Sequence, residues 1–553
     1  MTRLFVRGRW LVPAILGLLL VGGSVSAFAF STTPTYNFTL VGHNALYDRG
    51  MNAAGAIYDH WMFVGNRTDG TPGHTHPGTL ILDIANPANP TVVGELPYPT
   101  LATMGYSSRE MRVWTQQKVL MIMYIPCDAT IHRCTIPGDA GTPKTTNQTR
   151  IDFWDLSEDP ANPKLLATYT PSVIPHEMFL WADPKQPATR ALLFWTSPNQ
   201  SAAGKSLVVT DISHWRKGQF PEIADFDIAS QYTADESNNY DVRLHSISVS
   251  PDGTRMYLAH LGGGFLVTDT SDFANNVPHP KVRLITPIAN RVYWDNQGAH
   301  SSVKVPSKPY ALTTEEIYGN GLVLQPIFGF ATSGCPWGWV RMIDIHDAVH
   351  PKLVQEYKIP QNTCTGVDQQ TTSFNSFASH NPTLLPDVGF VAWHSGGLQA
   401  LDLSNPAHVV PAGVYSATPE AMVTTEDPVL TSGDFKTAMW SYPIIRNGLI
   451  YVVDIRNGVF VLKYNGTHAD EVAGIAFLEG NSNLGDAGRL EAGIVNTGKT
   501  FAAPVPAPII PGLPDTGARA AWVAGPAIAL LLAALGGLGW WQAGAARRAR
   551  AGR

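Results

Sequence analysis

Short apolar–polar alternations, each closed by turn chemistry, run through most of the chain. The stretch Leu244 to Ile288 displays the unit most clearly. HSISV alternates like a half-buried strand. Pro251-Asp252-Gly253 follows as a turn, because Pro presets φ, Asp bonds its own backbone and Gly tolerates positive φ. MYLAH predicts a second strand, Gly262-Gly263-Gly264 a second turn, FLVTD a third strand and KVRLITPI a fourth. Four short antiparallel strands joined this way make one propeller blade.

The third strand and its terminal aspartate recur at Asp83, Asp155, Asp211, Asp269, Asp344 and Asp402, with a degenerate seventh copy, VFVLKY, ending at Lys463 and Tyr464. Long repeats of four strands predict a single all-β, seven-bladed β-propeller of four-stranded blades, placed at residues 30–464. The aspartates repeat because the blade repeats, and they predict turn caps rather than catalytic groups. The pattern resembles the LVIVD-repeat family, which implies the fold and little about activity. FTLVGHN (Phe38–Asn44) reads like a fourth strand ahead of the first blade, so it is a candidate to close the ring, in competition with EVAGIAFLEG (Glu471–Gly480).

The chain's two ends differ in character from this body. Residues 1–29 combine Arg3, Arg7 and Arg9, an apolar run and Ala27-Phe28-Ala29, the layout of a cleaved secretory signal; an uncleaved anchor is the alternative. Residues 465–512 read as an irregular region and a Pro/Ala-rich spacer. Residues 513–553 contain LPDTG, then an apolar run long enough to span a bilayer, then a basic tail. That order resembles the sortase sorting signal of Gram-positive-type surface proteins. The resemblance implies cleavage between Thr516 and Gly517 by sortase, attachment to cell-wall peptidoglycan, and an unidentified ligand at the surface.

Composition adds three constraints. The net charge is −6 with 15% charged residues, which offers no basic face to nucleic acid. Apolar content of 44% supports a packed core despite 50 Gly and 42 Pro. The four cysteines, in an exported chain, suggest disulfides Cys127–Cys134 and Cys335–Cys364.

The candidate chemistry lies at one register. Aligned by their turns, the first strands of the blades begin with Asn52, Arg109, His176, His245, His300, His380 and Trp440. First strands line a propeller's axis, so four histidines in successive blades would converge there. Imidazole suits iron or copper, which makes His176, His245, His300 and His380 a candidate metal site with Fe or Cu as cofactor. Copied structural histidines bonded to strand carbonyls remain the alternative. Glu110, Glu177, His260 and His394 share that face as groups that would orient ligands or meet substrate, and Arg109 would hold an anion or pair with Glu110. In architecture and histidine placement the arrangement is similar to carotenoid-cleaving oxygenases and to selenium-binding and methanethiol-oxidase propellers. The expected function is a surface binding module, with a metal-dependent oxidoreductase as the alternative. No GxSxG, Walker, HExxH or strand-linked GxGxxG motif supports another chemistry.

Overall fold

The computed structural model describes residues 34–67, 75–97, 106–126, 149–197, 204–233, 242–294, 298–316, 338–363, 377–418 and 437–494. Strand β1 (Phe38–Asn44) comes first. Blade one is β2–β5 (Asn52–Tyr58, Trp61–Asn66, Leu80–Asp83, Thr91–Glu95) and blade two β6–β9 (Tyr106–Trp114, Val119–Pro126, Arg150–Asp155, Lys164–Tyr169). Blade three is β10–β13 (Met178–Ala182, Ala191–Thr196, Leu207–Asp211, Glu222–Phe226) and blade four β14–β17 (Ser246–Val249, Arg255–His260, Gly264–Asp269, Arg283–Leu284). Blade five is β18–β21 (Ala299–Lys304, Tyr310–Glu315, Val340–Asp344, Lys352–Tyr357) and blade six β22–β25 (Pro382–Leu384, Val388–Ala392, Leu398–Asp402, Val410–Tyr415). Blade seven is built on β26–β28 (Ile444–Arg446, Leu449–Asp454, Gly458–Tyr464). The first six sheets run in sequence order, so each blade is an antiparallel meander and the seven-bladed propeller stands as expected.

Burial sorts the strands by depth. The third strands are buried along almost their whole length, whereas the fourth strands alternate, as in Thr91–Glu95, and face water. Apolar cores fill the spaces between neighbouring blades. One joins Met121 and Phe153 of blade two to Leu180 and Trp195 of blade three, and the next joins Phe179 and Phe194 to Leu258 and Leu266 of blade four.

The repeated aspartates do what their spacing predicts. Asp83, Asp211, Asp269, Asp344 and Asp402 each accept a hydrogen bond from the backbone N–H two residues on, at 2.8 to 2.9 Å. Asp155 makes the same bond to Ser157 at 3.4 Å. Such a bond satisfies a donor that the departing strand would leave open.

Both candidate closing segments pair with blade seven. β1 runs antiparallel to β28 on the outer side, with Phe38 opposite Tyr464 and Asn44 opposite Val459. It therefore supplies the fourth strand and covers an edge. The competing segment splits into a short helix, α1 (Ala469–Ala473), and a two-residue strand β29 (Phe477–Leu478). β29 pairs with β26 on the inner side of the same sheet.

The chain after Tyr464 is thus not a loose extension. Residues 477–491 lie across the end of the inner strands opposite the histidine register. Gly480 runs so close to Pro382 of blade six that a Cβ there would stand 2.0 Å from its carbonyl oxygen. Leu180 of blade three exchanges backbone hydrogen bonds with Asn481 and Asn483, both 3.2 Å. Asn483 reaches Pro251 of blade four, and Glu491 accepts from Lys304 of blade five at 2.6 Å. Glu479, Asn481, Ser482 and Leu484 are buried. This segment stops one mouth of the channel, a feature its unpatterned sequence does not announce.

Candidate metal centre

The four histidines do converge. His176, His245 and His380 lie just ahead of β10, β14 and β22 and are held by backbone bonds to the neighbouring second strands, for example His380 N–H to Ala392 O at 2.8 Å. His300 and Arg109 reach the same level differently. Each sits at a register shift, between Ala299 and Ser302 in β18 and between Ser108 and Glu110 in β6. A bulge rotates one side chain out of the alternation and aims it at the axis. Successive ring centroids are 4.4 Å apart from His176 to His245, 4.0 Å from His245 to His300, and 3.9 Å from His300 to His380.

Hydrogen bonds fix which nitrogen of each ring carries its proton. Ser246 Oγ spends its single proton on the His300 carbonyl at 2.5 Å. It must therefore accept from His245 Nδ1, 3.1 Å away. Ser301 Oγ donates to Asn381 Oδ1 at 2.9 Å and accepts from His300 Nδ1 at 2.8 Å. His380 Nδ1 stands 2.5 Å from the Trp440 carbonyl, which can only accept. All three rings are the Nδ1–H form, and each turns an Nε2 lone pair toward the axis. His176 reaches the same state from the other side: its Nε2 accepts from Arg109 Nη2 at 3.3 Å, because a guanidinium has only donors.

These lone pairs face one another. His176 Nε2 and His245 Nε2 are 2.8 Å apart. A carboxylate that the sequence reading missed, Glu316, places Oε2 at 3.3 Å from His300 Nε2 and Oε1 at 3.3 Å from His380 Nε2. The donor atoms of Glu177, His245 and His300 lie within 4.8 Å of one another, and so do those of His300, Glu316 and His380. Donors sharing one ion at about 2.1 Å stand roughly 3 to 4.2 Å apart, and the two triads meet at His300, with His176 in neither. A further triad, Asp387, His468 and Glu471, lies elsewhere, and there the Lys308 ammonium, 2.6 Å from Asp387, already supplies the cation.

The electrostatics favour the ligating form of the imidazoles. Burial holds His300 well below the usual imidazole range and His245 at about 3, so both stay neutral. Burial, and then the Arg109 charge, does the same to His176. Burial raises Glu316, and it would be lowered only by protonated imidazoles at His300, His380 and His394, the state that burial of His300 and His394 opposes. Burial and the neighbouring Glu110 raise Glu177 to about 8, and its Oε1 sits 3.7 Å from His300 Nε2 on the side of the stopped mouth.

The remaining expected residues divide. Glu110 does not pair with Arg109; it accepts from Arg112 at 2.7 Å, and Arg112 also bonds the Met178 carbonyl. His394 joins the site, 3.7 Å from Glu316 and stacked on Trp440 at 4.7 Å. Its φ of 36° is costly for a residue with a side chain, and the tight turn into β24 imposes it. His260 does not join: its Nδ1 bonds the hydroxyl of Tyr232, in the connection from blade three to blade four, at 2.8 Å. Asn52 donates to the Asp454 and Ile455 carbonyls and serves the backbone. Glu316 follows β19 directly, the place in blade five from which His260 and His394 come in blades four and six. That equivalence was the signal available for it. Cys127, Cys134, Cys335, Cys364, Thr516 and Gly517 lie outside the described residues.

The LVIVD-repeat profile matches residues 77–96 and 389–417, the outer strands of blades one and six. No curated protein matches the chain. Among solved structures it is similar to Sqt1 of Chaetomium thermophilum, with 10% identity over 76% of this chain and 86% of that one and a TM-score of 0.40. It is also similar to a candidate 6-phosphogluconolactonase of Bacteroides fragilis, with 10% identity over 80% of this chain and 96% of that one and a TM-score of 0.41. At that distance neither carries an argument about function.

Proposed function

We propose that the propeller is a metal-dependent oxidoreductase that binds one iron or copper ion on its axis. The ligands are the Nε2 atoms of His245, His300 and His380, with Glu316 beside them and His176 as the fourth imidazole. One observation carries the reading: the serine hydroxyls and the Trp440 carbonyl hold the Nδ1–H form, so the Nε2 lone pairs of His245, His300 and His380 turn inward beside Glu316. A cation at their centre would satisfy them together. Neutral imidazoles favour iron or copper over calcium or magnesium, which prefer oxygen donors. The ring lacks histidine at Asn52, Arg109 and Trp440, and it is there that the open position of a catalytic metal site would have to be. Metal analysis of the purified full chain, against a variant with all four histidines changed to alanine, tests this. About one equivalent of iron or copper in the native chain and none in the variant is expected. Zinc alone would remove the redox reading. Absence of metal from both would leave the alternative, a surface binding module.

We further propose that the protein is exported and held at the cell surface, as the N-terminal signal and the LPDTG-led C-terminal segment suggest. Sortase and cell-wall peptidoglycan are then its partners. Among the described residues no helix is long and apolar enough to cross a membrane, and the apolar C-terminal run lies outside them. Chain recovered from digested cell walls should end at Thr516. Intact residues beyond Gly517 in that material would overturn wall attachment.

A further inference from the structure

The axial site is asymmetric in charge. Blades three to six contribute imidazoles and Glu316, whereas blades one and two contribute two guanidiniums. Arg67, buried at the end of the second strand of blade one, stacks on Trp440 at 4.5 Å. Arg109, half-buried at the bulge of β6, donates to His176 Nε2. That bond is long, 3.3 Å, and its acceptor is uncharged. The carboxylate next to Arg109 in sequence, Glu110, is committed to Arg112. Among the described residues no ion pair to a carboxylate is made by Arg109.

From this placement we propose that Arg109 is the substrate-recognition residue of the metal site, and that the substrate enters as a monoanion carrying a carboxylate. The inference rests on the metal-centre reading. A planar guanidinium offers parallel N–H donors that match a carboxylate bidentately, and such charge-assisted bonds are shorter and about twice as strong as neutral ones. An arriving carboxylate therefore takes Arg109 from His176. The lone pair of His176 Nε2, released by that exchange, faces His245 Nε2, 2.8 Å away at the edge of the donor set. Anion binding at Arg109 and metal binding by His176 thus favour each other, and the coupling is reciprocal. Arg109 carries one positive charge, which a carboxylate monoanion balances and a phosphate dianion exceeds, while Arg67 is stacked on Trp440.

The test measures copper(II) affinity of the full chain by chelator competition, with acetate, acetamide or inorganic phosphate added. Acetate is expected to raise copper affinity about tenfold in the native protein, within the usual range for coupled sites. Acetamide should not. Arg109→Gln should abolish the acetate effect while still binding copper, and Arg109→Lys, which keeps the charge without the fork, should retain part of it. Copper binding that ignores acetate, or an acetate effect that survives in Arg109→Gln, overturns the inference and leaves the metal centre standing. A larger effect of phosphate than of acetate overturns the carboxylate assignment. Should the native chain bind no copper, the reading beneath the inference fails. Calorimetric titration of the metal-free chain with acetate then judges Arg109 alone, with weaker binding by Arg109→Gln expected and equal binding overturning it.

Discussion

Changing His300 to alanine is expected to weaken metal binding by roughly 10²- to 10³-fold, more than any other single substitution on the ring. A tightly held ion in a four-ligand site gains on the order of 10 to 16 kcal/mol, or about 3 to 4 per ligand, and 1.4 kcal/mol is a factor of ten. His300 has the central place, because its Nε2 belongs to both donor triads, with Glu177 at 3.7 Å on one side and Glu316 at 3.3 Å on the other. Its loss also leaves Glu316 with one partner fewer in a site mostly sealed from water. His394→Ala, which removes a neighbour of Glu316 rather than a member of either triad, should cost about tenfold. Competition titrations of the two variants decide between a metal centre and copied structural histidines. Equal, unchanged affinities would favour the latter.

Arg341→Met is expected to destabilise the fold by about 3 to 5 kcal/mol, the cost of leaving a buried charge without its partner. Arg341 Nη1 lies 2.6 Å from Glu315 Oε2, and both side chains are essentially out of contact with water. The guanidinium is held over Trp294 at 4.1 Å and Trp339 at 4.7 Å. Trp294 Nε1 donates to the other carboxylate oxygen at 2.6 Å. Methionine fills the volume but cannot offset the charge. Burial already raises the Glu315 carboxyl against the lowering effect of Arg341, and removing the arginine raises it further. A carboxyl raised on folding costs stability above its folded pKa and ceases to do so once protonated. The deficit of the variant should therefore narrow as pH falls. Denaturant unfolding at two pH values measures both effects. A loss under 1 kcal/mol would mean that Glu315 finds another partner. Glu315 immediately precedes Glu316, so the same pair helps anchor the strand end that delivers the candidate carboxylate.

Much of the fold could be read from the chain because a propeller repeats its local rules. The turn after each third strand needs an acceptor for one backbone N–H, so an aspartate returns there, and its spacing counts the blades. The histidines could be placed because first strands share a level on the axis. What alternation cannot reveal is a bulge. Arg109 and His300 point inward because β6 and β18 each slip register, and an HP pattern looks the same on either side of such a slip. Ser246 and Ser301 looked like ordinary strand residues, yet they settle which nitrogen each neighbouring histidine presents. Glu316 holds in blade five the position of His260 and His394 in blades four and six, but as an acid among histidines it is legible only when the ends of the second strands are aligned. Residues 477–491 lack any period because they follow the inner ends of several blades in turn rather than lying in one sheet.

That stopper has a consequence in time. A chain is synthesised from its N-terminus, so β1 emerges first and waits for β28, its pairing partner, almost until the propeller is complete. His176, His245, His300, Glu316 and His380 all emerge before Gly480 and Asn481. Until those late residues arrive, the donors are open from both ends of the axis, and on the metal-centre reading an ion could enter by either. Once Gly480 settles against Pro382 and Asn483 against Leu180, only the histidine face is left. Loading during folding and reloading afterwards are then different processes, with different rates and different competitors for the ion.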